Sequence, residues 1–323
     1  MEKWTYEKGL QEIGSGQYAY LVPDGSWGWS NAGLITDHEQ TLLVDTLFDL
    51  KSTQEMLDTM TAALPRLDGI DTLVNTHSNG DHTYGNQLAR AGEIISSEAC
   101  LAEMKERRPE HLAQLMREAP GLGEGGKLLL ELMGPPKFDF ENIDYTLPTK
   151  TFDKELEVQV GDKQVRLVNV GPAHTGGDVL AYVPEDRVVY TGDILFNFGH
   201  PVLWAGPISN WIKACDLMLG WDIEVAVPGH GPLTDKTGIR RLKDYLNYID
   251  VEAKKCWEAG LGVEEAADEI SLDAYADWID SERIIINISS LYKEYGGGEL
   301  VFDRIKLFEL MARYRKRNGL SDH

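Results

Sequence analysis

Short runs in which apolar and polar residues alternate characterise the first part of the chain. Two of these runs, at residues 18–22 and 41–45, are separated by turn residues such as those at 23–26, which favours a sheet rich in hairpins. Residues 50–64 instead carry apolar side chains at helical spacing, and Pro65 is expected to end that helix. The pattern therefore predicts a group of strands followed by a helix.

The next part of the chain alternates between the two kinds of element. A strand is predicted at residues 72–75, a helix from Asn86 and a further strand at 93–96, an arrangement that is typical of an α/β fold. From residue 98 to about 150 the pattern turns helical and charged. Because strands resume afterwards, we interpret residues 98–150 as a helical insertion within one domain.

The strands that resume form a second group. Residues 155–160 and 164–170 are joined by Gly161-Asp162-Lys163, which predicts a hairpin. Further strands are predicted at residues 179–183, 187–191 and 225–227.

After Asp235 the chain reads as helical, and candidate helices lie near residues 237–259, 263–270, 273–290 and 300–318. We therefore predict one domain at residues 1–235, which includes the insertion, and a helical C-terminal extension at residues 236–323 that packs on it. The sequence leaves three roles open for the apolar positions of the extension: covering the sheet, completing a substrate pocket or forming a homodimer surface.

Composition narrows the class of protein. The chain has 323 residues, of which 42% are hydrophobic and 26% charged, as in a globular protein of enzyme size. Its formal net charge of −22 disfavours nucleic acids and anionic membranes as partners. The first residues lack the apolar core of a signal peptide, and no run approaches the roughly 20 apolar residues of a membrane span. We therefore expect a cytoplasmic protein that acts on a small molecule.

Candidate metal ligands follow the strand at residues 72–75. His77, Asp81 and His82 fall within six positions, although Asn, Asp, Ser and Gly are also ordinary turn residues. Three later predicted strands also end in a potential ligand beside glycines: His174, Asp193 and His230. Four such loops in one chain indicate a metal site. Asp45 closes another strand and is either a turn residue or a group that orients a ligand histidine.

These motifs resemble those of the metallo-β-lactamase fold hydrolase superfamily in order, spacing and context. The resemblance covers roughly residues 15 to 235 and rests on four segments: His77-x-Asn79-x-Asp81-His82, His174-Thr175-Gly176-Gly177-Asp178, Thr191-Gly192-Asp193 and Pro228-Gly229-His230-Gly231. It implies an α/β fold of the αββα type, with two mixed sheets face to face, helices outside and a metal site at one edge.

The resemblance also implies two neighbouring sites for Zn²⁺. One would use Asp81, His82, His230 and Asp193, and the other would use His77, His174 and Asp193. The family places a histidine where this chain has Asn79, and an amide oxygen is a weaker zinc donor than imidazole. Three states stay open: two zinc ions with the first bound loosely, one zinc ion in the second site, or a first site that substrate completes.

The resemblance implies hydrolysis by zinc-activated water, with Asp81 as the catalytic residue that orients the nucleophile. We expect a small carbonyl substrate: an ester, lactone, thioester or strained amide. Aromatic residues near the ligand motifs are candidate walls of the substrate pocket, although core packing is the alternative for each: Trp27, Phe196, His200 and Trp204. Two other functions stay open, an iron-binding redox protein and a non-catalytic binding protein whose metal site has partly degenerated.

Overall fold

The computed structural model describes residues 4–64, 69–296 and 303–320. In these ranges the first β-sheet contains seven strands in chain order: β1 (Gly9–Gly14), β2 (Gln17–Leu21), β3 (Ala32–Asp37), β4 (Gln40–Val44), β5 (Thr72–Val74), β6 (Glu93–Ser97) and β7 (Lys150–Phe152). Strands β1 to β4 pair antiparallel, as expected for hairpins, whereas β4 to β7 pair parallel.

The described strands of the second sheet lie in the order β12-β11-β10-β9-β8. Their bounds are β8 (Glu155–Val160), β9 (Lys163–Asn169), β10 (Val179–Val183), β11 (Val188–Tyr190) and β12 (Val225–Val227). Strands β8 and β9 form the predicted hairpin, and Gly161 occupies its turn with φ of +59°. Only β11 and β12 pair parallel among these strands, because helical chain separates them.

The helices between the strands largely follow the predicted pattern. Helix α1 (Leu50–Ala63) begins where the carboxylate of Asp49 accepts a hydrogen bond of 2.8 Å from Ser52 N. Its predicted stop at Pro65 lies outside the described residues. The other helices before β7 are α2 (Gly80–Thr83), α3 (Asn86–Ala89), α4 (Glu98–Glu106), α5 (Pro109–Glu118) and α6 (Gly123–Met133).

The later helices are α7 (Ile208–Gly220), α8 (Lys236–Glu258), α9 (Val263–Glu269), α10 (Ile284–Glu294) and α11 (Arg304–Asn318). The prediction of one helix over residues 273–290 is wrong in its first half, where short 3₁₀ turns precede α10. Asp280 lies there with φ of +61°, and its carboxylate binds Ser26 and Arg283 in place of continuing a helix.

The alternation of strand residues explains the layers. Ile35 of β3 packs in a core that it shares with Leu167 of β9, between the two sheets. The preceding residue, Leu34, points to the other face and shares a core with Met56 of α1. The protein is therefore a mixed α/β sandwich with two sheets face to face and helices outside, as the resemblance implied.

The C-terminal extension packs against the insertion through α11 and α6. At Gly125 the two helices approach so closely that a Cβ atom would lie 2.4 Å from the carbonyl oxygen of Ile305. This contact brings the start of α11 to the same side of the sandwich as the end of α4. In the described ranges, every helix is too short or too polar to cross a membrane.

Candidate metal centre

Loops at one edge of the sandwich bring together the six side chains predicted as metal ligands. The loop after β5 carries His77, Asp81 and His82, and the last two lie on the short helix α2. The other three ligands follow β9, β11 and β12: His174, Asp193 and His230. All six are buried and form two groups of three.

The first group consists of His77, His174 and Asp193. Asp193 Oδ2 lies 3.7 Å from His77 Nε2 and 3.2 Å from His174 Nε2. Because the three ligand atoms lie within 4.8 Å of one another, one cation can contact all of them.

The second group consists of Asp81, His82 and His230, whose ligand atoms also lie within 4.8 Å of one another. His230 Nε2 lies 3.3 Å from Asp81 Oδ2, and His82 Nε2 lies 3.8 Å from the same oxygen. Asp193 reaches this group too, because its Oδ1 is 3.1 Å from His82 Nε2. The Asp193 carboxylate is thus placed to bridge the two groups.

Hydrogen bonds to the other ring nitrogen orient the histidines. His82 Nδ1 lies 2.9 Å from Asp45 Oδ2, His174 Nδ1 lies 2.6 Å from the Val202 carbonyl, and His230 Nδ1 lies 3.1 Å from the Gly25 carbonyl. The Nε2 atoms therefore face the centre. Of the two interpretations of Asp45, its geometry fits the group that orients a ligand histidine. Its carboxylate is itself held in place, because it accepts hydrogen bonds of 2.7 Å from Thr76 N and Thr76 Oγ1.

The donor set fits a metal ion. His77 Nε2, His82 Nε2 and Asp193 Oδ1 are buried and make no hydrogen bond within residues 4–64, 69–296 and 303–320. Buried polar atoms are nearly always paired in folded proteins, and a cation between these atoms would satisfy all three. Imidazole and carboxylate together suit zinc and also iron, so the geometry does not distinguish the metals.

Burial and neighbouring charges set the protonation of these groups. Burial holds the pKa of His77 well below its usual range and lowers that of His174. Burial disfavours the charged form of Asp193 too, but the surrounding histidines hold its pKa well below the usual value. Neutral imidazole and ionised carboxylate are the forms that bind metals. For His230, burial is outweighed by Asp193 and Asp81, which raise its pKa to about 9, so a cation there would compete with a proton.

Two glycines allow the close approach of the loops. Gly192 precedes the bridging carboxylate with φ of +48°, and a Cβ atom there would lie 2.3 Å from Thr76 Oγ1. A Cβ atom at Gly229 would lie 2.0 Å from Asp193 Oδ1. A side chain at Gly229 would displace the central carboxylate, and one at Gly192 would displace Thr76, which binds Asp45.

A cavity of about 360 Å³ opens onto this centre. Asp81, His174, Asp193 and His230 form its buried end. Three of the predicted pocket walls lie among its lining residues: Trp27, Phe196 and Trp204. The cavity also contains side chains that the sequence did not single out. Tyr84 directly follows α2, and the others come from the insertion and the extension: Arg107, Met133, Arg304 and Phe308.

His200 is not one of the lining residues, contrary to the expectation of a substrate contact. Its side chain is fully buried, and its Nδ1 lies 3.1 Å from the hydroxyl of Tyr245. Its carbonyl oxygen accepts a hydrogen bond of 2.9 Å from Arg283 Nη1. His200 is therefore part of the core beneath the extension.

Comparison with known proteins agrees with this geometry. The family model of the Metallo-beta-lactamase superfamily matches residues 25–230, a range that contains all six candidate ligands. The chain belongs to the metallo-beta-lactamase superfamily. The resemblance drawn from the four motifs is thereby confirmed. The superfamily consists mostly of hydrolases, and the ligand groups of this member are of the metal-binding kind.

One curated relative is the 2,4-dinitroanisole O-demethylase subunit alpha from Nocardioides sp. (strain JS1661), which is 26% identical over 197 residues. The match covers 58% of this chain and 48% of the relative, so the chain spans about half the length of that protein.

Two solved structures show the same fold. The inverting sec-alkylsulfatase Pisa1 from Pseudomonas sp. is 16% identical, with a TM-score of 0.64 over 98% of this chain and 51% of that chain. A metallo-beta-lactamase from Pontibacter korlensis is 18% identical, with a TM-score of 0.54 over 75% of this chain and 99% of the other. The first match is long enough to include most of the helical extension, whereas the second leaves a quarter of the chain unmatched.

Asn79 distinguishes this superfamily member from the expected motif. Its Nδ2 lies 3.0 Å from His174 Nε2, the nitrogen that would bind a metal in the first group. The side chain makes no capping hydrogen bond to α2, although Asn79 is the residue before that helix. The amide is thus directed into the metal centre, where it competes for a ligand atom of the first group.

Proposed function

We propose that this protein is a zinc-dependent hydrolase that uses an activated water to cleave a small carbonyl substrate: an ester, lactone, thioester or strained amide. One observation carries the proposal. Two groups of buried ligands share the Asp193 carboxylate, keep unpaired nitrogens directed at the centre, and form the inner end of a cavity of about 360 Å³.

The second group would hold the better-bound zinc, because Asp81, His82 and His230 are all strong ligands. His77 and His174 would hold a second, weaker one with Asn79 beside them. Zinc at such a site lowers the pKa of a bound water to about 7 and polarises a substrate oxygen.

Asp81 is the residue that we assign to proton handling. Its carboxylate contacts His230 and also lines the cavity, so one oxygen can bind at the centre while the other orients a water molecule or returns a proton to the leaving group. For an ester, one water is consumed and the products are a carboxylic acid and an alcohol. The aromatic walls, Trp27, Phe196 and Trp204, would exclude other water molecules from the reacting bond.

The test combines metal analysis with hydrolysis assays. Zinc and iron are measured in the gently purified protein, where we expect one to two zinc equivalents per chain and little iron. A panel of esters, lactones, thioesters and β-lactams is then assayed with His82→Ala and His230→Ala. Both variants are expected to lose activity by at least about a hundredfold, since even residues that only orient ligands cost 10- to 100-fold.

His38→Ala is the matched control, because this histidine is exposed and pairs with Asp162 at 2.9 Å, away from the lining of the cavity. It should retain full activity. A protein that hydrolyses the panel without tightly bound metal would contradict the proposal, and so would activity that persists in His82→Ala.

A second candidate reaction is hydrolysis of an activated aromatic methyl ether, which would yield a phenol and methanol from one water. The O-demethylase relative and the aromatic lining of the cavity favour it. Adding 2,4-dinitroanisole to the panel and measuring methanol distinguishes this reaction from ester cleavage.

Because the relative is named as a subunit, this chain is proposed to act with a further chain or as a homodimer. Light scattering on the protein purified alone would show a homodimer. The same measurement on the protein purified from its host, together with any chain bound to it, would show a complex with a second chain. Its cytoplasmic location stays a prediction.

A further inference from the structure

Four arginines line the cavity, although the net charge of the chain is −22. Arg107 and Arg108 follow helix α4 of the insertion, Arg283 precedes α10, and Arg304 is the first residue of α11. These positions lie in three separate parts of the sequence. The fold alone brings the four guanidinium groups to one cavity.

Two of the arginines are already neutralised by neighbouring carboxylates. Arg108 forms a salt bridge with Glu110 in which Nη2 lies 3.0 Å from Oε1. Arg283 is buried and its Nη2 lies 2.8 Å from Asp280 Oδ2. Arg283 also lies over the ring of Trp27 at 4.5 Å, so it supports the cavity wall.

Arg107 is only weakly paired. Its Nη2 lies 3.8 Å from Glu103 Oε1, too far for a hydrogen bond, and its buried Nη1 has no hydrogen-bond partner among the described residues. The Glu103 oxygens are engaged elsewhere, since they accept hydrogen bonds from Ser78 Oγ at 2.5 Å and Gly176 N at 3.1 Å. Arg107 therefore retains donors that point to no acceptor in the part of the chain that the structure describes.

Arg304 makes no salt bridge or hydrogen bond with the part of the chain that the structure describes. Its guanidinium carbon lies 5.5 Å from the ring of Trp204, which is a cavity wall. Although much of the side chain is exposed, desolvation of the guanidinium and the positive charge of Arg107 both lower the pKa of Arg304. The two cations thus repel one another unless an anion lies between them.

The two ends of the cavity differ. Arg107 is half-exposed and Arg304 exposed, whereas the metal ligands are buried. Glu106, at the same rim, is an exposed carboxylate. Apolar side chains also line the cavity, among them Leu115 of α5 and Phe308 of α11.

We propose that Arg107 and Arg304 together bind the compact oxyanion, a carboxylate or a sulfate, of an amphiphilic substrate. The apolar body of that substrate lies against Leu115 and Phe308, and its cleavable bond lies at Asp81 and Asp193. Planar guanidinium groups suit such oxyanions, which accept two parallel hydrogen bonds. The assignment of the substrate class rests on the proposed hydrolase function, whereas the binding of the anion can be measured without it.

The test measures binding of octanoate, octyl sulfate and 1-octanol to the full-length, zinc-loaded protein. Titration calorimetry is combined with tryptophan fluorescence, because Trp27 and Trp204 line the cavity. We expect at least one anion to bind about tenfold or more tightly than 1-octanol, since hydrogen bonds to charged groups are the strong ones. The preference should shrink with added salt, because the arginines are near solvent. The tighter of the two anions identifies the oxyanion.

Arg107→Gln/Arg304→Gln should lose this preference, and each single variant should lose part of it. Circular dichroism checks that the double variant is folded. If it is not, the single variants test the proposal. Arg108→Gln is the matched control, because it lies at the same rim but is paired with Glu110, and it should keep the preference. If the double variant still prefers the anions, the anionic group binds at the metal centre and the proposal is wrong. Equal binding of 1-octanol and both anions to the wild type also overturns it.

A kinetic comparison separates this inference from the proposed function. 4-Nitrophenyl hexanoate is compared with the mono-4-nitrophenyl ester of adipic acid, which has a terminal carboxylate. A lower KM for the adipate ester, lost in Arg107→Gln/Arg304→Gln, supports both proposals. Hydrolysis of both esters with equal KM contradicts the anion site alone. Anion-selective binding without hydrolysis of any panel compound supports the anion site and contradicts the hydrolase.

Discussion

At the scale of single residues, Asn79 is the position that distinguishes the two candidate ligand groups. The first group lacks the histidine that the family has at this position. In addition, the Asn79 amide lies 3.0 Å from His174 Nε2 and engages that ligand nitrogen. The second group has no such neighbour, because the ligand nitrogens of His82 and His230 face carboxylates. The two groups should therefore differ in their affinity for zinc.

Asn79→His should raise the zinc content toward two equivalents per chain, because imidazole binds zinc more tightly than an amide does. The measurement is metal content after dialysis against a series of zinc-buffered solutions. Asn79→Ala is the control that frees His174 Nε2 without adding a ligand, and it should not reach the same content. Identical zinc titrations for wild type and Asn79→His would show that the residue has no part in the first group.

His200 gives a residue-scale prediction of pH dependence. Burial, helped by the charge of Arg283, lowers its pKa from 6.5 to about 3. Because the folded pKa is depressed, the unfolded chain binds more protons between these values, and stability is lost as pH falls below about 6.5. The slope from one such group approaches about 1.4 kcal/mol per pH unit. In His200→Asn, the free energy of unfolding measured with urea between pH 4 and 6.5 should depend less on pH. An unchanged slope would contradict a neutral, buried His200.

At the scale of elements, the insertion and the extension both form hydrogen bonds with loops around the candidate metal centre. Glu103 of α4 ties together two ligand loops through Ser78 and Gly176. In the same way, Asp280 accepts a hydrogen bond of 2.8 Å from Ser26 Oγ and so fixes the loop that presents Trp27. Neither element is a peripheral addition.

Gly125→Ala tests the contact between α6 and α11. Alanine normally favours a helix over glycine by about 1 kcal/mol. Here the new Cβ would lie 2.4 Å from Ile305 O and 2.9 Å from Glu309 N, which are backbone atoms, so α11 has to shift. We expect a net destabilisation of about 1–3 kcal/mol, measured by chemical unfolding, together with weaker octanoate binding because Arg304 moves.

Gly121→Ala is the control, since a Cβ there meets nothing within 4 Å. It should be neutral in both measurements. If Gly125→Ala proved as stable as this control, the close packing of the two helices would be wrong.

At the scale of the whole molecule, the sequence predicted the parts that local pattern determines. The hairpin at Gly161, the capped helix α1 and the four loop motifs all have local signals. Helix α7 was not predicted, although Trp211, Cys215 and Met218 lie on its buried face, because its apolar residues are also compatible with a strand-flanking loop. The Asp280 turn was missed for a different reason, since its partner Ser26 is distant in sequence.

The arginine pair could not have been predicted from local pattern either. Arg107 follows one helix and Arg304 begins another, and both helices have the sequence of ordinary charged surfaces. The packing of α11 on α6 brings the two arginines to one cavity. The prediction that His200 lines the pocket was wrong for the opposite reason. His200 follows the bridging aspartate closely in sequence, yet the chain turns away from the cavity before reaching it. Proximity in sequence therefore identified side chains that the fold brings together at one edge of the sandwich, but it did not identify which of the residues after Asp193 line the cavity.

The metal centre should also contribute to the stability of the whole protein. Its ligands come from loops after β5, β9, β11 and β12, so a bound metal connects both sheets. A ligand that binds only the folded state at 100 times its Kd adds about 2.7 kcal/mol. We therefore expect removal of metal by 1,10-phenanthroline to lower the Tm by several degrees, and zinc to restore it.

Scanning calorimetry on the chelated and reconstituted protein measures this shift. His38→Ala, with its change far from the ligands, should show the same shift as the wild type, whereas His82→Ala should show little. The net charge of −22 predicts that salt also raises the Tm by screening repulsion, so all samples need equal ionic strength. If chelation left the Tm of the wild type unchanged while removing the metal, the ion would be only loosely associated with the fold, and the unpaired Nε2 atoms of His77 and His82 would need another partner.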